Sequence, residues 1–320
     1  MIGNNLELAA ELLSKGELVA IPTETVYGLA ANALNPEAAL RIFEAKERPA
    51  FDPLIVHIPS VESIELYAEE IPEVARKLAV RFWPGPLTLV LPKNAVVPDI
   101  ISSGLSTVGL RMPNHPLTLS LLKLLPFPLA APSANPFGYI SPTTPQHVED
   151  QLGSRIKYIL DGGPCAVGVE STIVGFEDGK VFVYRLGGLT LEDIRQIAPD
   201  AELKLNTSSN PQAPGMLASH YAPRKPIYRG SIDELLQAYA DKKVGVLSFK
   251  SDFSNHAAVK AMEILSPSGD LQEAAGNLFA ALRRLDTLDL DLILTEEVPD
   301  IALGRAINDR LRRATHSSDH

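Results

Sequence analysis

Between Ile21 and Ile58 the chain reads IPTETVYGLAANALNPEAALRIFEAKERPAFDPLIVHI. The apolar strand Leu18–Ile21 runs into a hydroxyl- and carboxylate-rich turn, Thr23-Glu24-Thr25. A helix then opens at Pro36, where proline's missing N–H costs nothing, and carries Ala38, Ala39, Ile42 and Phe43 on one side. Lys46 and Arg48 close it, Pro49 and Pro53 stiffen the return around Asp52, and Leu54–Ile58 reads as a further strand with His57 inside it. Strand–helix alternation of this kind builds an open α/β sheet, whose ligands gather at strand ends. Two adjacent cations there suit a polyphosphate better than they suit a core. The pattern points to a small-molecule site, with a nucleotide as the first guess.

The alternation continues along the chain. Helical spacing predicts helices over Asn5–Lys15 (ended by Gly16), Pro72–Phe82, His115–Leu125, Thr143–Leu152 and Leu191–Ile197. Strands are expected at Leu87–Leu91, Val108–Arg111, Leu129–Ala131, Tyr158–Leu160, Ser171–Val174 and Val181–Tyr184. The close succession of the last three predicts a mixed sheet with flanking helices rather than a purely parallel one. At 320 residues, two domains are expected: a first over 1–204, a Ser/Asn/Pro-rich linker over 205–226, and a second, smaller α/β domain over 227–320. In the second domain the pattern predicts strands at Val244–Phe249 and Leu290–Leu294. Helices are predicted at Ile232–Ala240, Ala257–Leu265, Leu271–Leu285 and Arg305–Ala314.

Composition excludes several classes. The net charge is −10, so the chain's average field repels nucleic acid, and only a local basic patch could hold it. The single cysteine, Cys165, forms no intramolecular disulfide, and no Cys/His spacing suits zinc. No apolar run approaches the roughly 20 residues of a membrane span. The start, MIGNNLELAAELLSKGE, carries no secretion leader, which predicts a reducing, cytoplasmic setting. G-x-S-x-G and HExxH are both absent, which removes the covalent hydrolase and zinc-peptidase readings.

Each remaining polar cluster has a plain structural explanation beside the functional one. Lys46 and Arg48 complement a helix dipole as readily as they grip phosphate. Thr23, Glu24 and Thr25 could simply cap a turn. His57 in an apolar strand could be a hydrogen-bonded core histidine. Ala131-Pro132-Ser133-Ala134-Asn135-Pro136 is an acceptable turn that also offers a hydroxyl and an amide at fixed positions. Arg111 and Arg185 stand at strand ends, and Ser171 lies in Gly168-Val169-Glu170-Ser171-Thr172. Gly162-Gly163 reads as a turn or as a loop through which the backbone approaches a phosphate, the turn being the plainer explanation.

Taken together, these segments resemble the YrdC-type threonylcarbamoyl-AMP synthases in their long, two-domain form. The matching elements are PTETVYGL, KERPAFDPLIVHI, WPGPLT, VGLRMPNHP, APSAN, GVESTIV and RLGG, in that order, followed by the connector APGMLASHYAP at Ala213–Pro223. The resemblance spans essentially the whole chain. It implies a YrdC-like twisted mixed sheet followed by a Rossmann-like domain, with the connector acting as a lid over the nucleotide. It also implies adenylyl transfer: L-threonine and bicarbonate or CO2 give N-carboxythreonine, whose carbamate oxygen attacks the α-phosphate of ATP. A threonylcarbamoyl transferase complex would then modify tRNA beside the anticodon, with a weak tRNA contact by this chain as a further possibility.

By the same matching, Lys46 and Arg48 are the catalytic cations holding the triphosphate. Asp52, Thr107, Ser133, Asn135, Ser141, Arg185 and Tyr221 complete the ATP site. Thr25, His57, Arg111, Ala131 (through its backbone) and Ser171 surround threonine. The resemblance implies Mg2+ carried by ATP phosphates, with no protein metal site and no tightly bound organic cofactor. Either His57 or water could take the threonine ammonium proton. Two other readings stand beside this one: a carbamoyl-adenylate-forming enzyme of the hydrogenase-maturation kind, and a noncatalytic RNA-binding module.

Overall fold

The computed structural model describes residues 1–49, 51–205 and 220–315. The described residues divide into two compact units. The second comprises Gly138–Ser141, Val167–Val169 and the chain from His220 on; the first comprises the rest. Most of the expected linker, residues 206–219, lies outside the described residues.

Among the described residues, the first unit carries an eleven-stranded mixed sheet. Its order is Ile2–Gly3, Tyr158–Leu160, Val19–Ile21, Gly28–Asn32, Leu129–Ala130, Ile55–His57, Thr107–Arg111, Leu87–Pro92, Thr172–Glu177, Lys180–Arg185 and Glu202–Leu203. Both local chemistry and burial explain the helices beside it. Asn5 caps helix Leu6–Ser14 by accepting the Leu8 N–H at 2.9 Å, and Ala9 and Leu13 go into the core. Asn35 caps Glu37 and Ala38, Pro36 takes the first turn, and Ala38, Ala39, Ile42 and Phe43 are buried. One core cluster joins Ala9, Leu13, Val19, Ile21, Leu121, Leu122, Leu129 and Leu160. Each large side chain buried this way contributes about 1.5–3 kcal/mol of transfer free energy.

Two registers place the site. The strand Ile55–His57 pairs in parallel with Thr107–Arg111, setting His57 opposite Arg111, and antiparallel with the Leu129–Ala130 strand. The strand Leu87–Pro92 then joins Thr107–Arg111 on one side and Thr172–Glu177 on the other. Strand ends bearing His57, Arg111, Thr88 and Ser171 therefore succeed one another across the sheet.

The second unit has four parallel strands ordered Ile227–Arg229, Leu292–Thr295, Val244–Ser248, Val259–Ile264. Helix Leu271–Thr287 buries Ala274, Ala275, Leu278, Phe279, Leu282 and Leu285, and helix Leu303–Thr315 also belongs here. This is the expected Rossmann-like α/β arrangement. One element differs from expectation: Ala257–Leu265 is not a helix but contains the edge strand Val259–Ile264. Its Ala, Lys, Met and Glu are good helix formers, but pairing with Val244–Ser248 satisfies one side of its backbone and overrides that weak preference.

Candidate active site

Helix Pro36–Lys46 ends on Glu47, whose left-handed φ of 54° turns the chain sharply. That ending separates the roles of the two flanking cations. Lys46 is 1% exposed, and its Nζ donates to Ser133 O and Asn135 O, both at 2.5 Å. Burial, followed by the nearby Arg48 charge, pushes the Lys46 ammonium well below its ordinary pKa, while Asp52 opposes the shift. Arg48 turns into its own loop. Its Nε donates to Asp52 O at 3.1 Å, its Nη2 to Pro53 O at 2.9 Å, and it pairs with the Asp52 carboxylate at 2.9 Å. The Pro-stiffened turn is thus fastened by its own ion pair.

The segment after strand Leu129–Ala130 meets Lys46 from the other side. The Ala131 N–H is given to Ile55 O at 3.0 Å. Ser133 bridges Gly28, where an added Cβ would lie 3.1 Å from the Ala131 methyl. Asn135 is fully buried and its Nδ2 donates to Pro136 O at 2.9 Å.

A second group forms around Arg111, at the end of its strand and 4% exposed. Its Nη2 donates to Thr25 Oγ1 at 3.0 Å and pairs with Glu24 Oε1 at 2.9 Å; Glu24 Oε2 accepts the Asn114 N–H at 3.0 Å. Thr23 and Thr25 share a hydroxyl hydrogen bond at 2.8 Å, and the Thr23 hydroxyl also donates to Val26 O at 2.6 Å. Opposite Arg111, His57 is 2% exposed, and its Nδ1 finds no hydrogen-bond partner among the described residues. Burial, with the Arg111 charge second, lowers its pKa to about 3, so the ring is neutral at ordinary pH. A conjugate acid that strong makes His57 a poor acceptor for an ammonium proton.

The third group joins Ser171, Thr88 and Arg185. The Ser171 and Thr88 hydroxyls lie 2.8 Å apart, and Arg185 donates from Nη2 to Ser171 Oγ and from Nε to Ser171 O, each at 3.0 Å. All three are buried.

Of the residues named from the sequence, Lys46 is thus brought to Ser133 and Asn135, Arg48 to Asp52, Arg111 to Thr25 and His57, and Ser171 to Arg185. Thr107 stands apart. It opens the strand that Arg111 ends, about 13 Å away along the backbone at ~3.3 Å per residue. There it lines a separate cleft of about 260 Å³ with Val90, Pro92 and Tyr184. Ser141 and Tyr221 belong to the second unit. Glu24 and Thr88 join the buried groups without being among the site residues the sequence motifs imply, although both sit in the quoted segments. Their signal was a polar side chain at the end of an apolar run, beside residues already singled out.

No group of three His, Cys, Asp or Glu side chains that could hold a metal ion occurs among the described residues. The donor set here is cations, hydroxyls and carbonyls, with Asp52 and Glu24 each paired to an arginine. Such a set fits a divalent ion that arrives on phosphate oxygens, not one held in an acidic cage.

A family model covering Sua5, YciO and YrdC proteins, described as telomere recombination, matches residues 11–187. A second, described as the threonylcarbamoyl-AMP synthase C-terminal domain, matches residues 189–316. The chain is 44% identical to a threonylcarbamoyl-AMP synthase of Pyrococcus abyssi, covering 97% of this chain and 94% of that protein. It is 42% identical to a threonylcarbamoyl-AMP synthase of Bacillus subtilis, over 96% of this chain and 91% of that one. The crystal structure of P. abyssi Sua5 complexed with L-threonine superposes with a TM-score of 0.93 at 42% identity, over 99% of this chain and 98% of that one.

Proposed function

The chain belongs to the Sua5/YciO/YrdC family, and from that premise we propose that it makes L-threonylcarbamoyl-AMP and pyrophosphate from ATP, L-threonine and bicarbonate or CO2. The observation that carries the reading is similarity to threonylcarbamoyl-AMP synthases along the full chain, both matched segments included. The reaction makes an O–Pα bond from the carbamate oxygen and breaks the bond from Pα to the β-phosphate oxygen. The substrate is its own nucleophile, so no protein nucleophile is required.

What the protein must supply is placement and charge. Arg111 orients the threonine carboxylate, and its present ion pair with Glu24 keeps the guanidinium aimed. Thr25, Ser171 and the Ala131 carbonyl surround the amino acid, and neutral His57 adds a hydrogen-bonding ring without a competing charge. As an ammonium, Lys46 has one N–H beyond its two carbonyl acceptors, and this is the donor assigned to the triphosphate. Its desolvation and the neighbouring Arg48 both favour an incoming anion, and the ammonium then stabilises charge on the departing pyrophosphate. Asp52 and Asn135 hold this cradle in shape, and Arg185, Ser133, Ser141 and Tyr221 serve the nucleotide, as the sequence resemblance implies; Thr107, in its separate cleft at the far end of the strand, is not part of it. A Mg2+ ion carried by the ATP phosphates would supply further charge neutralisation beside the Lys46 and Arg48 cations.

The threonine ammonium gives up its proton to base in bulk solvent (hydroxide or buffer) before carboxylation, and His57, too weakly basic to hold it, takes no part. The product passes to a threonylcarbamoyl transferase acting on tRNA, in the cytoplasm. No helix among the described residues is long and apolar enough to cross a membrane. The test is the substrate dependence of AMP release from ATP. Release that requires threonine and ignores carbamoyl phosphate supports the proposal, whereas release that requires carbamoyl phosphate replaces it with carbamoyl-adenylate chemistry.

A further inference from the structure

In the second unit, helix Leu271–Thr287 holds more than its own sheet. The Arg283 guanidinium donates from Nε to Ser141 O at 3.2 Å and from Nη2 to Ile140 O. One turn on, Asp286 Oδ2 accepts the Tyr139 hydroxyl at 2.6 Å. Its Oδ1 accepts the backbone N–H groups of Arg224 at 2.8 Å and Lys225 at 3.1 Å. The Tyr139 ring lies 5.1 Å from the Arg283 guanidinium and 5.5 Å from that of Arg224. Ala222 closes the arrangement by donating its N–H to Gly138 O at 2.9 Å, alongside a parallel bridge between Tyr139 and Ala222.

Tyr221 is fixed by the same helix. Its ring, 1% exposed, stacks on Phe279 at 5.5 Å and has the Arg310 guanidinium 5.3 Å from its centre. Its φ of 67° is one that a side-chain-bearing residue adopts only when its surroundings impose it.

Arg283 and Asp286 are 6% and 7% exposed. Burying a guanidinium and a carboxylate costs desolvation, and well-packed apolar side chains would serve stability as well. A satisfied buried network instead fixes geometry. The geometry fixed here belongs to two short segments, Tyr139–Ser141 and Ala222–Lys225, which contain or adjoin Ser141 and Tyr221. We propose that Arg283 and Asp286 are positioning residues for the nucleotide, holding Ser141 directly and Tyr221 through Ala222 in the arrangement that ATP binding needs. This rests on the reading that Ser141 and Tyr221 serve ATP. Arg283 and Asp286 themselves act only through the segments they hold.

The test measures KM for ATP and for threonine separately in the full-length chain. Arg283→Met is expected to raise the ATP KM roughly tenfold and leave the threonine KM within about twofold, with Arg283→Lys recovering part of the loss. Tyr139→Phe, which removes one hydroxyl and little else, is expected to raise the ATP KM about threefold. It decides the matter alone if Arg283→Met does not fold. Ser141→Ala and Tyr221→Ala serve as references. If these references raise the ATP KM while folded Arg283→Met and Tyr139→Phe leave it at the wild-type value, the positioning role is overturned and the nucleotide reading survives. If the references themselves leave it unchanged, both fall. A parallel rise of both KM values with a lowered melting temperature also overturns the proposal, because it marks a purely structural role.

Discussion

Lys46 concentrates the argument at the residue scale. Its ammonium is buried, bonded to two carbonyls and disfavoured by Arg48, so any anion reaching it, the triphosphate in the proposed reaction, would relieve a cost already present in the fold. Lys46→Met, which keeps most of the stem's packing, should lower ATP turnover about 100-fold or more, read as pyrophosphate release. Turnover within a fewfold of wild type would remove Lys46 from the chemistry. His57 gives a prediction of another kind. Its folded pKa of about 3 lies below the unfolded value near 6.5. Its contribution to stability is therefore complete above pH 6.5 and is lost as pH falls from there toward 3, where the unfolded chain binds a proton that the folded ring refuses. Urea unfolding should show wild type losing about 2 kcal/mol more than His57→Gln between pH 8 and pH 5. Equal losses in the two proteins would contradict the neutral, buried ring. Lys46, Arg48 and Asp52 were legible because charges around a Pro-stiffened turn are conspicuous in a sequence. The pairing of Glu24 with Arg111 was not, because only the folded sheet brings the Thr23–Thr25 turn to the end of the Thr107–Arg111 strand.

At the scale of elements, periodicity located most helices and strands because their burial faces repeat at the expected spacing. It failed at Val259–Ile264, an edge strand built from helix-favouring residues, where hydrogen bonding to a neighbouring strand decided the outcome. It also passed over Gly28–Asn32, GLAAN, whose small residues carry little strand preference but permit close packing. Gly168 shows a further constraint that a pattern cannot reveal. Its φ is +76°, and a Cβ there would lie 2.5 Å from Ala275 O and 2.6 Å from the Gly276 Cα within helix Leu271–Thr287. Both neighbours are backbone and cannot step aside. Gly168→Ala should therefore lower stability by about 2 kcal/mol or more, visible as a drop in melting temperature. An unchanged melting temperature would mean that the approach of this loop to the helix is looser than described.

At the scale of the whole molecule, the first unit's sheet brings together three buried polar groups, around Lys46, Arg111 and Ser171, which no single segment could assemble. The mixed sheet and the Rossmann-like second unit were foreseen from alternation and from the ordered motifs, and the family follows from matches over residues 11–187 and 189–316. The path of the second unit was not foreseen. It takes in Gly138–Ser141 and Val167–Val169 from the middle of the chain, a consequence of long-range packing with no local sequence signal. The central claim is that buried cations and an adjacent amino-acid pocket join a carboxylated threonine to the α-phosphorus of ATP. The most direct measurement supplies purified protein with ATP, threonine and 13C-bicarbonate and follows the products by mass spectrometry. The account predicts threonylcarbamoyl-AMP carrying one 13C, formed together with pyrophosphate and lost in Lys46→Met. Pyrophosphate release without any labelled adenylate, or a labelled adenylate lacking the threonyl group, would contradict it.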